Sequence, residues 1–202
     1  MDDIVKLREP WLAGARAHAA PLLRELVPAC ADAGSLGTLE GPDSIYPERV
    51  NGGPARHDVD RTPGRRIRAD GAALGHAQLA LLPEARPVAI LESAARVKLS
   101  DRTLTDLDAR LEPPRQVLAQ GYAVSDGESA YGLRMVAAPV PDSAGAPVAG
   151  VSLTIDAGRM PLEPFVEQVR PKGLGIAAVL GAAAGLAHAL RHSAGTIGVG
   201  AS

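Results

Sequence analysis

Ser152 and Thr154 stand two residues apart in the apolar run "PVAGVSLTI". Strand side chains alternate between faces, so both hydroxyls fall on one side with Val148 and Gly150. Ala149, Val151, Leu153 and Ile155 make the other side wholly apolar. The neighbouring run "LRMVAAPV" divides in the same way, Leu133, Met135, Ala137 and Pro139 against Val136, Ala138 and Val140. The apolar faces suit packing under helices. The other two faces suit a cavity in which the hydroxyls of Ser152 and Thr154 orient a ligand among apolar walls; a solvated strand face would carry the same residues.

Arg134 interrupts the second run. Its parity places it with Val136 and Ala138, on the helix side and away from the hydroxyls. There it must find a carboxylate, and Asp126 and Glu128 lie just upstream, so a structural role is expected. A bulge that broke the parity would instead make it a clamp for a ligand carboxylate. Asp70 and His76 are the only acid/base candidates for catalysis. Asp70 is expected to cap the helix that follows it, where its charge would repel an anion.

Other signals are weaker. His188 and His192 have the i, i+4 spacing of metal ligands but lack an adjoining Glu or an evident third ligand, so no metal is expected. Arg56, Arg61, Arg65, Arg66 and Arg68 are interrupted by Asp58 and Asp60, the pattern of a solvated loop. There is no G-x-S-x-G elbow, P-loop or dinucleotide fingerprint, and no cofactor is expected.

These residues need a framework to position them. Residues 5–33 carry a helical pattern punctuated by Pro10, Pro21 and Pro28, which predicts two or three helical pieces. Ser35–Glu40 and Ser44–Val50 flank the turn Gly41-Pro42-Asp43 and predict a hairpin. The polar, glycine-rich stretch from Asn51 to Asp70 predicts a loop or a ragged strand pair. "GAALGHAQLALLP" predicts a helix ending at Pro83, and Thr105 with Asp108 resembles a capping box for another. Pro113-Pro114 should break that second helix and restart it toward Gly121. Strands Leu133–Val140 and Pro147–Ile155 follow, then a last helix from near Pro161. Without a regular βαβ alternation the class is α+β, an antiparallel sheet covered by helices.

Composition excludes several function classes. The 202 residues are 46% hydrophobic with a net charge of −2, so a protein held on nucleic acid by electrostatics is not expected. Trp11, Tyr46, Tyr122, Tyr131 and Phe165 are too few for a base-stacking surface. Cys30 is the only cysteine, which excludes an internal disulfide, and with an acidic opening in place of a signal peptide it fits a cytoplasmic protein. Gly173–Leu190 lacks a formal charge, yet it is built of Ala and Gly with large residues at helical spacing. It predicts a helix buried on a core rather than a membrane span.

The segments "GAALGHAQLALLP", "DRTLTDLDARL", "GYAVSDGESAYGLRMVAAPVPDSAGAPVAGVSLTI" and "AGRM" resemble, in order and spacing, the effector-binding domain of IclR-type transcription regulators. "LREPWLAGARAHAAPLLRELVPACADAGSLGTLEG" is similar to that family's linker helix and first strands. The resemblance implies a GAF-like fold, dimers or tetramers, and a small organic-acid ligand, aromatic or keto. It divides the chain into a helical linker or oligomerisation segment (1–33), the effector-binding domain (34–192) and a flexible tail (193–202). It implies ligand contacts from Leu133, Met135, Ser152 and Thr154, from Ser125, and from the backbone amides of Ala72, Ala73 and Leu74 at a helix N-terminus. The family's winged helix-turn-helix would precede residue 1. Asp70-Gly71-Ala72 and Pro113-Pro114 depart from the family pattern.

Three functions compete. The first is the ligand-sensing domain of such a regulator, without a DNA-binding domain of its own. The second is a domain repurposed for acid/base isomerisation or cyclisation of a small metabolite by Asp70 and His76, and the third is a module that only dimerises. Sensing comes first and catalysis is not favoured.

Overall fold

A computed structural model of the chain describes residues 3–52, 63–83, 85–93, 98, 100–128 and 130–197, with side chains of the terminal helices described between residues 14 and 184. The elements are α1 (Asp3–Cys30), β1 (Ala33–Glu40), β2 (Asp43–Asn51), β3 (Arg66–Arg68), a 3-10 turn (Ala69–Gly71), α2 (Ala73–Ala80), α3 (Ala85–Glu92), α4 (Leu107–Gln120), β4 (Ala123–Asp126), β5 (Leu133–Pro141), β6 (Pro147–Asp156) and α5 (Leu162–Ile197). The strands form one sheet in the order β3-β2-β1-β6-β5-β4, and every pairing is antiparallel. The class is α+β, as the sequence predicts.

One face of the sheet lies under the two long helices. Ala15, Ala19, Leu23 and Val27 recur every fourth residue along α1, and Phe165, Val169, Ile176 and Leu180 line α5. Both stripes meet Leu36, Val136, Val151, Leu153 and Ile155. On the opposite face, Leu74 and Ala77 of α2 and Val117 of α4 cover Tyr46, Ala123, Met135 and Ala137. A smaller cluster of Ala69, Leu79, Leu91 and Leu111 lies beyond it.

The prolines do not break their helices. α1 is one 28-residue helix through Pro10, Pro21 and Pro28, and α4 runs unbroken through Pro113 and Pro114. An interior proline costs about 3 kcal/mol because the i−4 carbonyl loses its bond. Pro21 and Pro28 are exposed, and so are Ala17 and Arg24, whose carbonyls they leave to solvent. Burial of the Ala15-to-Val27 stripe offsets the loss. The cap of α4 is Asp106 rather than Thr105: its carboxylate accepts from the amides of Asp108 and Ala109. Gly121, at φ +83°, closes the helix.

Two elements escaped prediction, α3 and the four-residue β4. β4 is too short to show a periodicity, while α3 is as long as α2 and buries Pro87 and Leu91 at helical spacing. The stretch before Asp70 contains the short edge strand β3; residues 53–62 lie outside the described residues. α5 continues to Ile197, past residue 192. Among the described residues, no helix is long and apolar enough to cross a membrane.

Candidate ligand-binding site

Register builds the site. Ser125, Met135, Thr154 and Ala33 face one another across β4, β5, β6 and β1. One step along, Ala123, Ala137, Ser152, Ser35 and Arg49 form a second row that extends onto β2. Because cross-strand partners point the same way, all of these side chains share the face under α2. Leu133 lies in the next row, opposite Asp156, and is partly exposed.

A pair of glycines sets the position of α2. Gly37 and Gly150 face each other across β1 and β6. A Cβ on Gly37 would come 2.4 Å from the Leu74 side chain and one on Gly150 would come 2.9 Å from it. The notch they leave holds Leu74. Gln78 ties the next turn down, donating to the Gly37 carbonyl at 2.7 Å and accepting from Ser44 Oγ at 2.6 Å. Gly75 is required because a Cβ would strike the Ala69 backbone at 2.1 Å. With α2 so placed, its first turn meets β4. Ala72, in extended conformation, offers no side-chain cap, and the Ala73 amide donates to Ser125 Oγ at 3.3 Å. An uncapped first turn with its N–H groups and dipole favours an anion.

On the same sheet face, two strands from Ser125, the hydroxyls of Ser152 and Thr154 are buried, at 0% and 3% exposure, and neither has a protein hydrogen-bond partner. A buried hydroxyl without a partner costs about 1–3 kcal/mol. The structure therefore brings together Ala72, Ala73, Leu74, Ser125, Met135, Ser152 and Thr154, with Leu133 at the edge.

Arg134 is structural. Its Nε donates to Asp126 Oδ1 at 2.9 Å and its Nη1 donates to the carbonyls of Ala157 and Met160. It ties the end of β4 to the turn before α5. Of the two expected carboxylates, Asp126 is the one it meets.

Asp70 does not cap α2, which corrects the sequence expectation. The 3-10 turn places it ahead of the cap residue Ala72, and its carboxylate turns away to Arg68, at 3.3 Å, and to Arg110. The Arg110 side chain is fully buried and also donates to the Leu91 carbonyl. Two guanidinium groups thus offset the charge that would oppose an anion at α2. His76 is fully buried, with Nε2 3.1 Å from the Asp70 carbonyl. That contact requires the proton on Nε2, and burial pushes the imidazole pKa below its usual value, keeping the ring neutral.

Arg66 pairs with Glu40 and Asp43, and Arg68 with Asp43 and Asp70, so this part of the arginine run holds the β2–β3 edge. Arg56, Arg61 and the side chains of His188 and His192 lie outside the described residues. Among those described, no three His, Cys, Asp or Glu come together as a metal site needs.

Ser35, Arg49 and Arg110 also stand on or behind this face, and the sequence pattern had not singled them out. Arg110 was legible: in "LDARLEPP" it shares the i, i+3, i+4, i+7 stripe of Leu107, Leu111 and Pro114, two of which are buried. Arg49 was not, because a bulge reverses its parity. Between the pairs Leu36↔Glu48 and Thr38↔Ile45, β2 advances one residue more than β1. Tyr46 and Arg49 consequently share the α2 face, while Glu48 points to α1 and meets Arg16 at 3.5 Å.

The chain has relatives. The profile described as "Bacterial transcriptional regulator IclR C-terminal" matches residues 13–176. The HTH-type transcriptional regulator XynR of Escherichia coli is 32% identical over 149 residues, 72% of this chain and 59% of XynR. This chain thus spans under two thirds of that relative's length. The C-terminal domain of the E. coli regulator KdgR superposes with a TM-score of 0.75 at 26% identity, covering 85% of this chain and 98% of that domain. The inducer-binding domain of PobR from Acinetobacter, a double mutant in complex with 3-hydroxybenzoic acid, shares the fold with a TM-score of 0.71 at 21% identity, over 84% of this chain and 96% of that one. The chain belongs to the IclR family of bacterial transcriptional regulators and carries their C-terminal effector-binding domain.

Proposed function

We propose that this domain senses a small organic acid, aromatic or keto, held between α2 and the sheet. The observation that carries the reading is the pair of buried, unpartnered hydroxyls, Ser152 and Thr154, on the sheet face that α2 covers. The amides of Ala72, Ala73 and Leu74 receive the carboxylate together with Ser125. Ser152 and Thr154 orient the remaining polar atoms, and Met135 and Leu133 supply apolar wall. The acid shifts the domain between two arrangements by binding one of them better. In a cytoplasmic homodimer or tetramer that preference passes through α1 to a DNA-reading segment, while these 202 residues do not themselves contact DNA. Catalysis by Asp70 and His76 is not favoured, since Arg68 and Arg110 engage the carboxylate and the imidazole is fully buried.

A thermal-melt screen against aromatic, keto and dicarboxylic acids tests this. An acid at a hundred times its dissociation constant adds about 2.7 kcal/mol to native stability. The expected result is a hit that Thr154→Val abolishes. Stabilisation by no acid, or hits indifferent to Thr154→Val, would remove the reading.

A further inference from the structure

The fold buries a cation on α4. The Arg110 side chain is 0% exposed, on the stripe that includes the buried Pro114 and Val117. Its Nη2 donates to the Asp70 carboxylate ahead of α2 and to the Leu91 carbonyl in the last turn of α3. Nε and Nη1 have no hydrogen-bond partner in the protein. A buried ion pair is often less stable than apolar side chains of the same volume, and unpartnered donors add to the penalty. Stability therefore does not account for an arginine at this position.

The charges around it do not cancel at the buried end. Asp70 is shared, since Arg68 Nε also reaches its Oδ1 at 3.3 Å. Asp43 lies 3.9 Å from both Arg68 and Arg66, and Arg66 pairs with Glu40 at the exposed edge. Salt screens such solvent-facing pairs beyond about 8 Å and screens a buried charge much less. His76, which meets the Asp70 carbonyl, is neutral. Arg68 and Arg110 against Asp70 thus leave one positive charge in excess. Asp70 precedes Ala72 by two residues, at most about 7 Å of chain. Ala72 opens the uncapped turn whose Ala73 amide meets Ser125. The excess charge and the helix dipole therefore act in the same sense at the start of α2.

We propose that Arg110 sets the specificity of this site for an anion: paired with Asp70, it turns an acidic approach to α2 into one that prefers a carboxylate to a neutral ligand of the same shape. This rests on the ligand-sensing reading above and names the residue behind its selectivity. Arg110 acts through the field at the start of α2, so charge is what a substitution must change.

Isothermal titration of the wild-type chain, Arg110→Met, Asp70→Asn, the double variant and Thr154→Val tests it, using benzoate and phenylpyruvate against their amides, benzamide and phenylpyruvamide. In the wild type each acid binds at least about tenfold tighter than its amide. Arg110→Met removes the excess charge, brings that ratio close to unity and leaves the amide unchanged. Asp70→Asn enlarges the excess and raises the ratio above the wild-type value. The double variant has the wild-type excess and recovers most of the ratio, and Thr154→Val weakens acid and amide alike. Acid and amide binding lost together in both single variants would show a folding role and overturn the proposal. So would an Asp70→Asn chain whose ratio equals or falls below the wild-type value. Acids that bind with Thr154 dependence and a ratio that Arg110→Met leaves intact would overturn the proposal and keep the sensing reading. Wild-type binding of neither acid would remove both.

Discussion

The two faces of this sheet are built from the same strands and buried to the same depth, yet they differ in chemistry. Along β6, Val151 and Leu153 point to α1 and α5, while Ser152 and Thr154 point to α2. Under the long helices the buried strand side chains meet apolar neighbours, the arrangement that makes a core. Under α2 the same burial covers hydroxyls that no protein group satisfies. A face serving stability alone would carry Val at those positions, because an unsatisfied buried hydroxyl costs about 1–3 kcal/mol. Burial therefore does not separate core from site in this domain; the bonding of the buried polar atoms does.

The covering helices differ accordingly. α1 and α5 are 28 and 36 residues long and seat on the sheet through continuous apolar stripes. α2 has eight residues and touches down at a glycine notch, with its first turn uncapped. Under the proposed sensing role, a short helix held by Leu74 and Gln78 would present its first-turn amides to the ligand.

Substitutions can break this contrast, and the largest effect falls on the apolar face. Leu153→Ala should lower unfolding free energy by about 2–5 kcal/mol in urea denaturation, because its site cannot collapse fully. Arg134→Met should cost about 2 kcal/mol through the lost ties to Asp126 and two carbonyls, with ligand affinity unchanged. Thr154→Val should leave stability unchanged or raise it by up to about 1 kcal/mol while ligand binding is lost. A destabilised Thr154→Val that kept full affinity would mean the two faces do the same work.

The smallest effects concern pH. Burial lowers the His76 pKa below 6.5, so the unfolded chain takes up a proton first and stability is lost as pH falls below about 6.5. Glu128 behaves oppositely. Burial, then the neighbouring Asp126 charge, push its carboxyl from 4.5 up to about 7. Its contribution is complete below 4.5 and is lost as pH rises through about 7. Glu128→Gln should therefore raise the melting temperature at pH 8 relative to wild type, and His76→Gln should flatten the acid limb. Melting curves from pH 4.5 to 8 would show either slope unchanged if these groups do not titrate on unfolding.

The layout of the candidate face was legible in the sequence because strand alternation is local and strict. Parity alone separated Ser152 and Thr154 from Val151 and Leu153, and it placed Arg134 with the structural face. The helix boundaries were less legible. Prolines at 21, 28, 113 and 114 signal interruption, but in α1 the carbonyls freed by Pro21 and Pro28 belong to exposed residues, and a buried stripe on the same helix offsets the loss. β4 was missed because four residues carry too little period to register, whereas α3, as long as α2, has its buried Pro87 and Leu91 at helical spacing and was legible.

By itself, the sequence determined the α+β class, the apolar faces of β5 and β6, the hydroxyl-bearing face of β6, and the structural duty of Arg134. All of these follow from alternation over a few residues. Tertiary structure alone decided where the second arginine points and what becomes of Asp70. An arginine released by a bulge does exist, but the bulge lies between Ile45 and Glu48, where only the pairing of β2 with β1 reveals the extra residue. The charge of Asp70 is answered from α4, forty residues away, by Arg110. Local periodicity sets which way a side chain faces within a regular element. Its partners, and the irregularity that turns it, belong to contacts between elements distant in sequence.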